Sequence, residues 1–87
     1  MVSAQVTMNA PTGLHARPAG ELVKLVKSFE GSRVNIATSQ LTVNAASMLS
    51  LLSLGIRCGT LLTVSVEGGR EQEALDAVVA FIDSLKG

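Results

Sequence analysis

Val2-Ser3-Ala4-Gln5-Val6-Thr7-Met8 alternates apolar and polar side chains at every step. That period of two belongs to a strand with one face on a core and the other in water. Leu62-Thr63-Val64-Ser65-Val66 repeats the pattern near the other end of the chain. Strands that alternate this strictly are not buried on both sides, which argues for an antiparallel sheet with all helices on one face.

Between and after these strands the period changes. Ala19, Leu22, Val23, Val26 and Phe29 recur at helical spacing with Glu21, Lys24 and Lys27 opposite, which predicts an amphipathic helix over 16–28 that Gly31 stops. Val34 and Ile36 begin a second strand, and Leu41 and Val43 form a third. The turn between them, around Thr38 to Gln40, lacks the Asn-Gly hairpin signal. Ser47 before Met48-Leu49-Ser50-Leu51-Leu52-Ser53-Leu54 and Gly55 after it bracket a two-turn helix with a serine cap and a glycine stop. Its five apolar residues exceed one face, so with Leu51, Leu54 and Ile56 inward, Met48, Leu49 and Leu52 are left near solvent. Gly68-Gly69 then turns the fourth strand into a last helix carrying Ala74, Leu75, Val78, Ile82 and Leu85. The expected fold is α+β, an open-faced β-sandwich in which a four-stranded antiparallel sheet carries three helices on one face, in the order βαββαβα. With 87 residues and no repeat, linker or low-complexity stretch, residues 1–87 read as a single domain.

Composition narrows the function. Phe29 and Phe81 are the only aromatic residues, too few for a platform that stacks single-stranded nucleic acid. Seven Lys and Arg balance seven Asp and Glu, so no net field points to nucleic acid or a membrane surface. The balance is uneven along the chain: Arg17, Lys24, Lys27 and Arg33 outweigh Glu21 and Glu30 in the first 40 residues, while Glu67, Glu71, Glu73, Asp76 and Asp83 fall in the last third. An acidic partner would dock on the N-terminal part. A single cysteine, Cys58, with no metal-type Cys or His pair, suits a reducing compartment and no metal or other cofactor. Without a signal-peptide pattern or a membrane-length apolar run, the cytoplasm is the expected location.

Chemistry concentrates in Gly13-Leu14-His15-Ala16-Arg17-Pro18-Ala19. The chain's one histidine stands directly before a helix whose first turn holds a proline, tolerated there because that N–H has no helical partner. A helix start offers free amide donors and about half a positive charge, which suits a phosphate. Arg17 adds a guanidinium that can grip phosphate oxygens in pairs. The same positive end disfavours the imidazolium and keeps a ring nitrogen of His15 free as a nucleophile. Gly13 supplies either an unusual backbone angle or room for a close approach. Taken one at a time these are ordinary devices: a lone histidine often caps a helix, and Arg17 alone is a solvated side chain. Their weight comes from convergence on one helix terminus.

That heptapeptide strongly resembles the active-centre signature of the HPr family, the histidine-containing phosphocarriers of the bacterial phosphoenolpyruvate-dependent sugar phosphotransferase system. Its distance from the N-terminus, the second motif Ser47-Met48-Leu49-Ser50-Leu51-Leu52-Ser53-Leu54-Gly55-Ile56 and the element order are also similar, over essentially the whole chain. The resemblance implies a stoichiometric carrier and not a turnover enzyme. His15 would be phosphorylated on Nδ1 by enzyme I and would pass the group to enzyme II A components, with Arg17 steadying the phosphohistidine. Ala16 and Pro18 would mark the helix N-terminus, and Ala16, Arg17, Gly20, Lys24, Lys27, Met48, Leu49 and Leu52 would form the docking face of a monomer that makes transient contacts. Ser47 aligns with the serine that a dedicated kinase/phosphorylase modifies in many relatives, where the modified form binds a catabolite-repression regulator. Its other reading is a plain helix cap. Two departures stand out: Ala46 replaces the usual lysine, and Ser39-Gln40-Leu41 replaces the family's Asn-Gly-Lys turn, with one residue inserted ahead of it.

Three other readings stay open on the residues alone. One is an HPr-like carrier in a nitrogen or regulatory branch. Another is an interaction module in which Met48, Leu49, Leu52 and Lys24 bind a partner while His15 only caps a helix. The third is a hydrolase using Cys58 and His15, although no orienting residue or oxyanion motif accompanies them. Cys58 itself reads as a packed, inert thiol in an apolar neighbourhood.

Overall fold

The computed structural model describes residues 1–9, 13 and 16–85. Along the chain run β1 (Val2–Thr7), α1 (Ala16–Lys27), β2 (Arg33–Ala37), β3 (Thr42–Asn44), α2 (Met48–Ser53), β4 (Leu61–Glu67) and α3 (Glu71–Ser84). The strands lie side by side in the order β1-β4-β2-β3, every neighbouring pair antiparallel. β1 and β2 are therefore parallel to each other with a gap between them, and β4 fills it.

The alternation decides which face is buried. Register places Val2 opposite Val66 and Val66 opposite Val34, with Ala4, Val64 and Ile36 forming the next row. These rows, with Val6, Met8 and Leu62, make the sheet's half of the core. Ala19, Leu22 and Val26 of α1, Leu51 of α2, and Ala74, Leu75, Val78 and Ile82 of α3 make the other half. The opposite face of the sheet carries Ser3, Gln5, Thr63, Ser65, Asn35 and Thr42, and among the described residues no helix lies over it. Among the described residues no polar or charged side chain is buried, and no helix is long and apolar enough to cross a membrane.

The expected elements form, with shifts at their ends. α1 stops at Lys27, although the N–H of Ser28 is still shared between the carbonyls of Lys24 and Leu25. Phe29 falls beyond the helix and lies half-buried, its ring 5.0 Å from the Arg70 guanidinium. Leu41 is not part of β3. It sits in the hairpin turn, about half exposed, where its carbonyl accepts the Thr38 N–H at 2.9 Å and the Thr38 hydroxyl accepts the Gln40 N–H. A threonine side chain thus closes a turn that lacks Asn-Gly.

The β4–α3 corner is held by polar groups. The Ser32 hydroxyl donates to the Gly68 carbonyl at 2.8 Å, and the Gly68 N–H donates to Glu71 Oε2, also at 2.8 Å. The same carboxylate lies 3.1 Å from the amino group of Met1. The Gly68 N–H first, and the ammonium second, hold the Glu71 carboxyl below its ordinary value of 4.5. A depressed carboxyl stabilises the fold above its unfolded pKa, and that contribution is lost as pH falls through the folded value. Glu71→Gln should therefore flatten the loss of stability between pH 6 and pH 3, as read by urea unfolding along the pH series. An unchanged slope would remove Glu71 from the acid response.

Candidate functional site

Leu14 and His15 lie outside the described residues, and the site is built from what flanks them. On one side, α1 begins at Ala16, so the N–H groups of Ala16, Arg17 and Ala19 have no acceptor inside the helix and Pro18 contributes none. The first turn contains no acidic residue, and Arg17 is exposed. A cation at a helix start opposes the helix dipole, and among the described residues Arg17 has no ion-pair partner. Amides unused inside the helix, beside a guanidinium with no ion-pair partner among the described residues, favour an anion.

On the other side stands Gly13, buried and at φ +68°, in the left-handed region. A Cβ there would strike the Ile56 carbonyl oxygen and come within 2.8 Å of the Arg57 Cα. Both expectations for this glycine hold, the backbone angle and the close approach. Ile56 and Arg57 follow α2 after its cap Leu54 and Gly55, so the residue two positions before His15 rests on the chain leaving the second helix. The Met8 N–H donates to Thr60, and the Gly59 N–H donates back to Met8. The start and the end of the candidate site are thereby tied to one loop.

The remaining predicted residues sit on two neighbouring helices. Ala16, Arg17, Lys24 and Lys27 are exposed on α1, opposite its buried Ala19, Leu22 and Val26, and Gly20 is half-buried with open space where a side chain would project. On α2, Leu51 is fully buried while Leu49 is 81 % exposed and Met48 and Leu52 are exposed as well. Leu54 is half-buried. Ser47 is the N-cap: its backbone is extended, and its hydroxyl oxygen accepts the Ser50 N–H at 3.3 Å. Its own N–H donates to the Asn44 carbonyl, and the Asn44 side chain accepts from Ala46, which fixes the entry into α2.

Cys58 is a correction. It is exposed, not packed among apolar side chains, with Sγ 3.8 Å from the carbonyl of Asn9. The run Gly55-Ile56-Arg57-Cys58-Gly59-Thr60 carries the signal that was missed: two glycines four residues apart mark a turn, and turns stand in water. Arg57, on that same loop and against Gly13, is the cation that sequence reasoning passed over. Nothing in the local sequence shows that Gly13 meets it, because the contact joins segments more than forty residues apart.

A family model described as the PTS HPr component phosphorylation site matches residues 2–84. The chain belongs to the HPr family of phosphocarrier proteins. It is 36% identical over 85 residues to the phosphocarrier protein HPr of Vibrio cholerae, covering 98% of this chain and 99% of that protein. The HPr-like protein Crh of Halalkalibacterium halodurans is 42% identical over 83 residues, covering 95% and 98%. The crystal structure of HPr from Thermoanaerobacter tengcongensis superposes with a TM-score of 0.90 at 36% identity, over 97% of this chain and 93% of that one. HPr proteins are carriers of the phosphotransferase system and not catalytic enzymes, and the four-stranded open-faced sandwich is their fold.

The Gly13 contact makes a quantitative expectation. Gly55 also has a left-handed φ, +62°, but nothing surrounds the place a Cβ would take. Gly55→Ala should cost only the backbone term, about 1 to 2 kcal/mol. Gly13→Ala should cost clearly more, because the Ile56–Arg57 backbone must also move. Equal losses in denaturant unfolding would mean that the HPr loop does not rest on Arg57.

Proposed function

We propose that His15 accepts a phosphoryl group on Nδ1 from enzyme I, charged from phosphoenolpyruvate, and donates it to enzyme II A components in sugar uptake. The observation that carries this reading is the position of the only histidine, immediately before a helix start with free amides, inside the stretch matched by the family's phosphorylation-site model. A neutral ring nitrogen attacks phosphorus while the bond from phosphorus to the donor breaks. The helix amides and Arg17 neutralise the oxygens before and after transfer. Because these groups hold the phosphoryl group without further chemistry, the group leaves by the same route it entered. Exposed Met48, Leu49 and Leu52 supply an apolar docking patch, and Lys24 and Lys27 attract acidic partner surfaces. The protein works as one cytoplasmic domain over 1–87, monomeric, with transient contacts.

Incubation with enzyme I and phosphoenolpyruvate should add one acid-labile phosphoryl group to the wild type and none to His15→Ala. Arg17→Ala should slow transfer on the order of 100-fold. Leu49→Asp should raise the KM for enzyme I with little change in kcat. A wild type left unmodified by active enzyme I ends the proposal.

Similarity to an HPr-like Crh protein favours a second, regulatory reading for Ser47. A phosphate there would sit at the start of α2, where negative charge is stabilised, and next to Met48 of the docking patch. A serine kinase/phosphorylase would install it, and a catabolite-repression regulator would read it. Ser47→Ala should cost about 1 kcal/mol as a lost cap. Ser47→Asp should keep the fold and weaken enzyme I binding, as titration calorimetry would record. Undiminished affinity in Ser47→Asp would leave Ser47 as a cap alone.

A further inference from the structure

On the side of the molecule defined by β1 and α3 lies a groove of about 540 Å³ that no part of the carrier function uses. Among the described residues β1 pairs only with β4, so its other edge is open. The phase of that edge follows from the ladder. The Met8 N–H donates to Thr60, which continues the β1–β4 register, so the even residues Val6, Ala4 and Val2 direct their backbone groups to β4. Ser3, Gln5 and Thr7 therefore turn their N–H and C=O groups outward. The strand itself carries none of the usual guards: it has six residues and contains no proline and no charge.

Above the same edge, α3 overhangs. Gln72, Leu75, Asp76, Val79, Ala80 and Asp83 line the groove and fall at the i, i+3, i+4, i+7, i+8 and i+11 spacing of one helical stripe. That stripe is about 17 Å long, the span of about five residues of extended chain. Its floor is apolar, with Val2 and Ala4 of β1 below Leu75 and Val79, and its charged groups are both acidic. Of the four carboxylates of α3, Glu71 and Glu73 are paired with the Met1 ammonium and Arg70, and Asp76 and Asp83 have no ion-pair partner among the described residues. Asp76 is held by an amide hydrogen bond from Gln72 at 2.9 Å, which leaves its charge unneutralised.

We propose that this groove is a second binding surface, which takes an extended cationic peptide segment as a fifth strand on β1. Main-chain hydrogen bonds to Ser3, Gln5 and Thr7 supply affinity, alternate apolar side chains cover the accessible Val79 and Ala80, and flanking Lys or Arg side chains reach Asp76 and Asp83. The acidic rim is what selects this occupant over a second copy. Two-fold pairing of β1 with β1 would bring two sets of like charges into one cleft, whereas a basic strand neutralises one set. Because the groove lies apart from α1 and α2, such a segment and a docking partner can be bound together.

The test uses the intact protein and a fluorescein-labelled hexapeptide alternating valine and lysine, with the valine–glutamate analogue as control. The lysine peptide should bind, and the glutamate peptide should not. Asp76→Lys combined with Asp83→Lys should weaken binding at least about tenfold. Amide hydrogen exchange at Ser3, Gln5 and Thr7 should be fast in the free protein and slowed by peptide, with α1 and α2 unchanged. Gln5→Pro removes an outward N–H without touching the β4 ladder and should also block binding. Equal affinity for both peptides, protection confined to α1 and α2, or protection of Ser3, Gln5 and Thr7 that rises with protein concentration alone would each overturn the proposal. The last of these would assign the edge to a second copy.

Discussion

Everything in this fold depends on β4 closing the gap between β1 and β2. Those two strands run parallel with a space between them, and neither can satisfy its inner edge alone. When β4 enters it completes two antiparallel ladders at once and adds Leu62, Val64 and Val66, all fully buried, to the centre of the core. The helices rest on a sheet whose central strand is the sixth of seven elements along the chain. Such closure is costly in chain entropy and is returned by non-local contacts.

The placement of β4 also assembles the site. The loop that leads into it, from Ile56 to Thr60, exchanges hydrogen bonds with Met8, accepting one at Thr60 and donating one from Gly59, and supports Gly13. The candidate phosphoacceptor segment is thus attached at one end to the strand pair that makes the core and at the other to α1. α2 feeds directly into the same loop. A partner that settles on Met48, Leu49 and Leu52 touches a helix whose exit carries the backbone against which Gly13 lies.

Much of this was legible in the chain because the signals are local. Alternation in Val2–Met8 and Leu62–Val66, the Ala19-Leu22-Val26 stripe, and the Ser47 cap each depend on neighbours within a turn or two, and each element forms where its pattern lies. Leu41 misled because an apolar residue beside Val43 fits a strand pattern, while its actual place follows from the Thr38 side chain closing the turn. Cys58 misled because its residue type favours burial, while the two flanking glycines set the outcome. The Gly13–Arg57 approach and the open β1 edge were beyond local reading altogether, since both arise from which strands end up as neighbours.

One consequence follows from the way charge is distributed over the helix layer. α1 carries Arg17, Lys24 and Lys27 against Glu21, α3 carries four carboxylates, and the two helices touch, yet the chain sums to zero. The molecule is therefore an electric dipole without a monopole. A field of that kind decays faster than that of a net charge and, with a screening length of about 8 Å at physiological salt, acts only over the last nanometre of an encounter. It cannot draw partners from a distance. It can rotate the carrier as contact is made, so that the basic helix meets an acidic surface first.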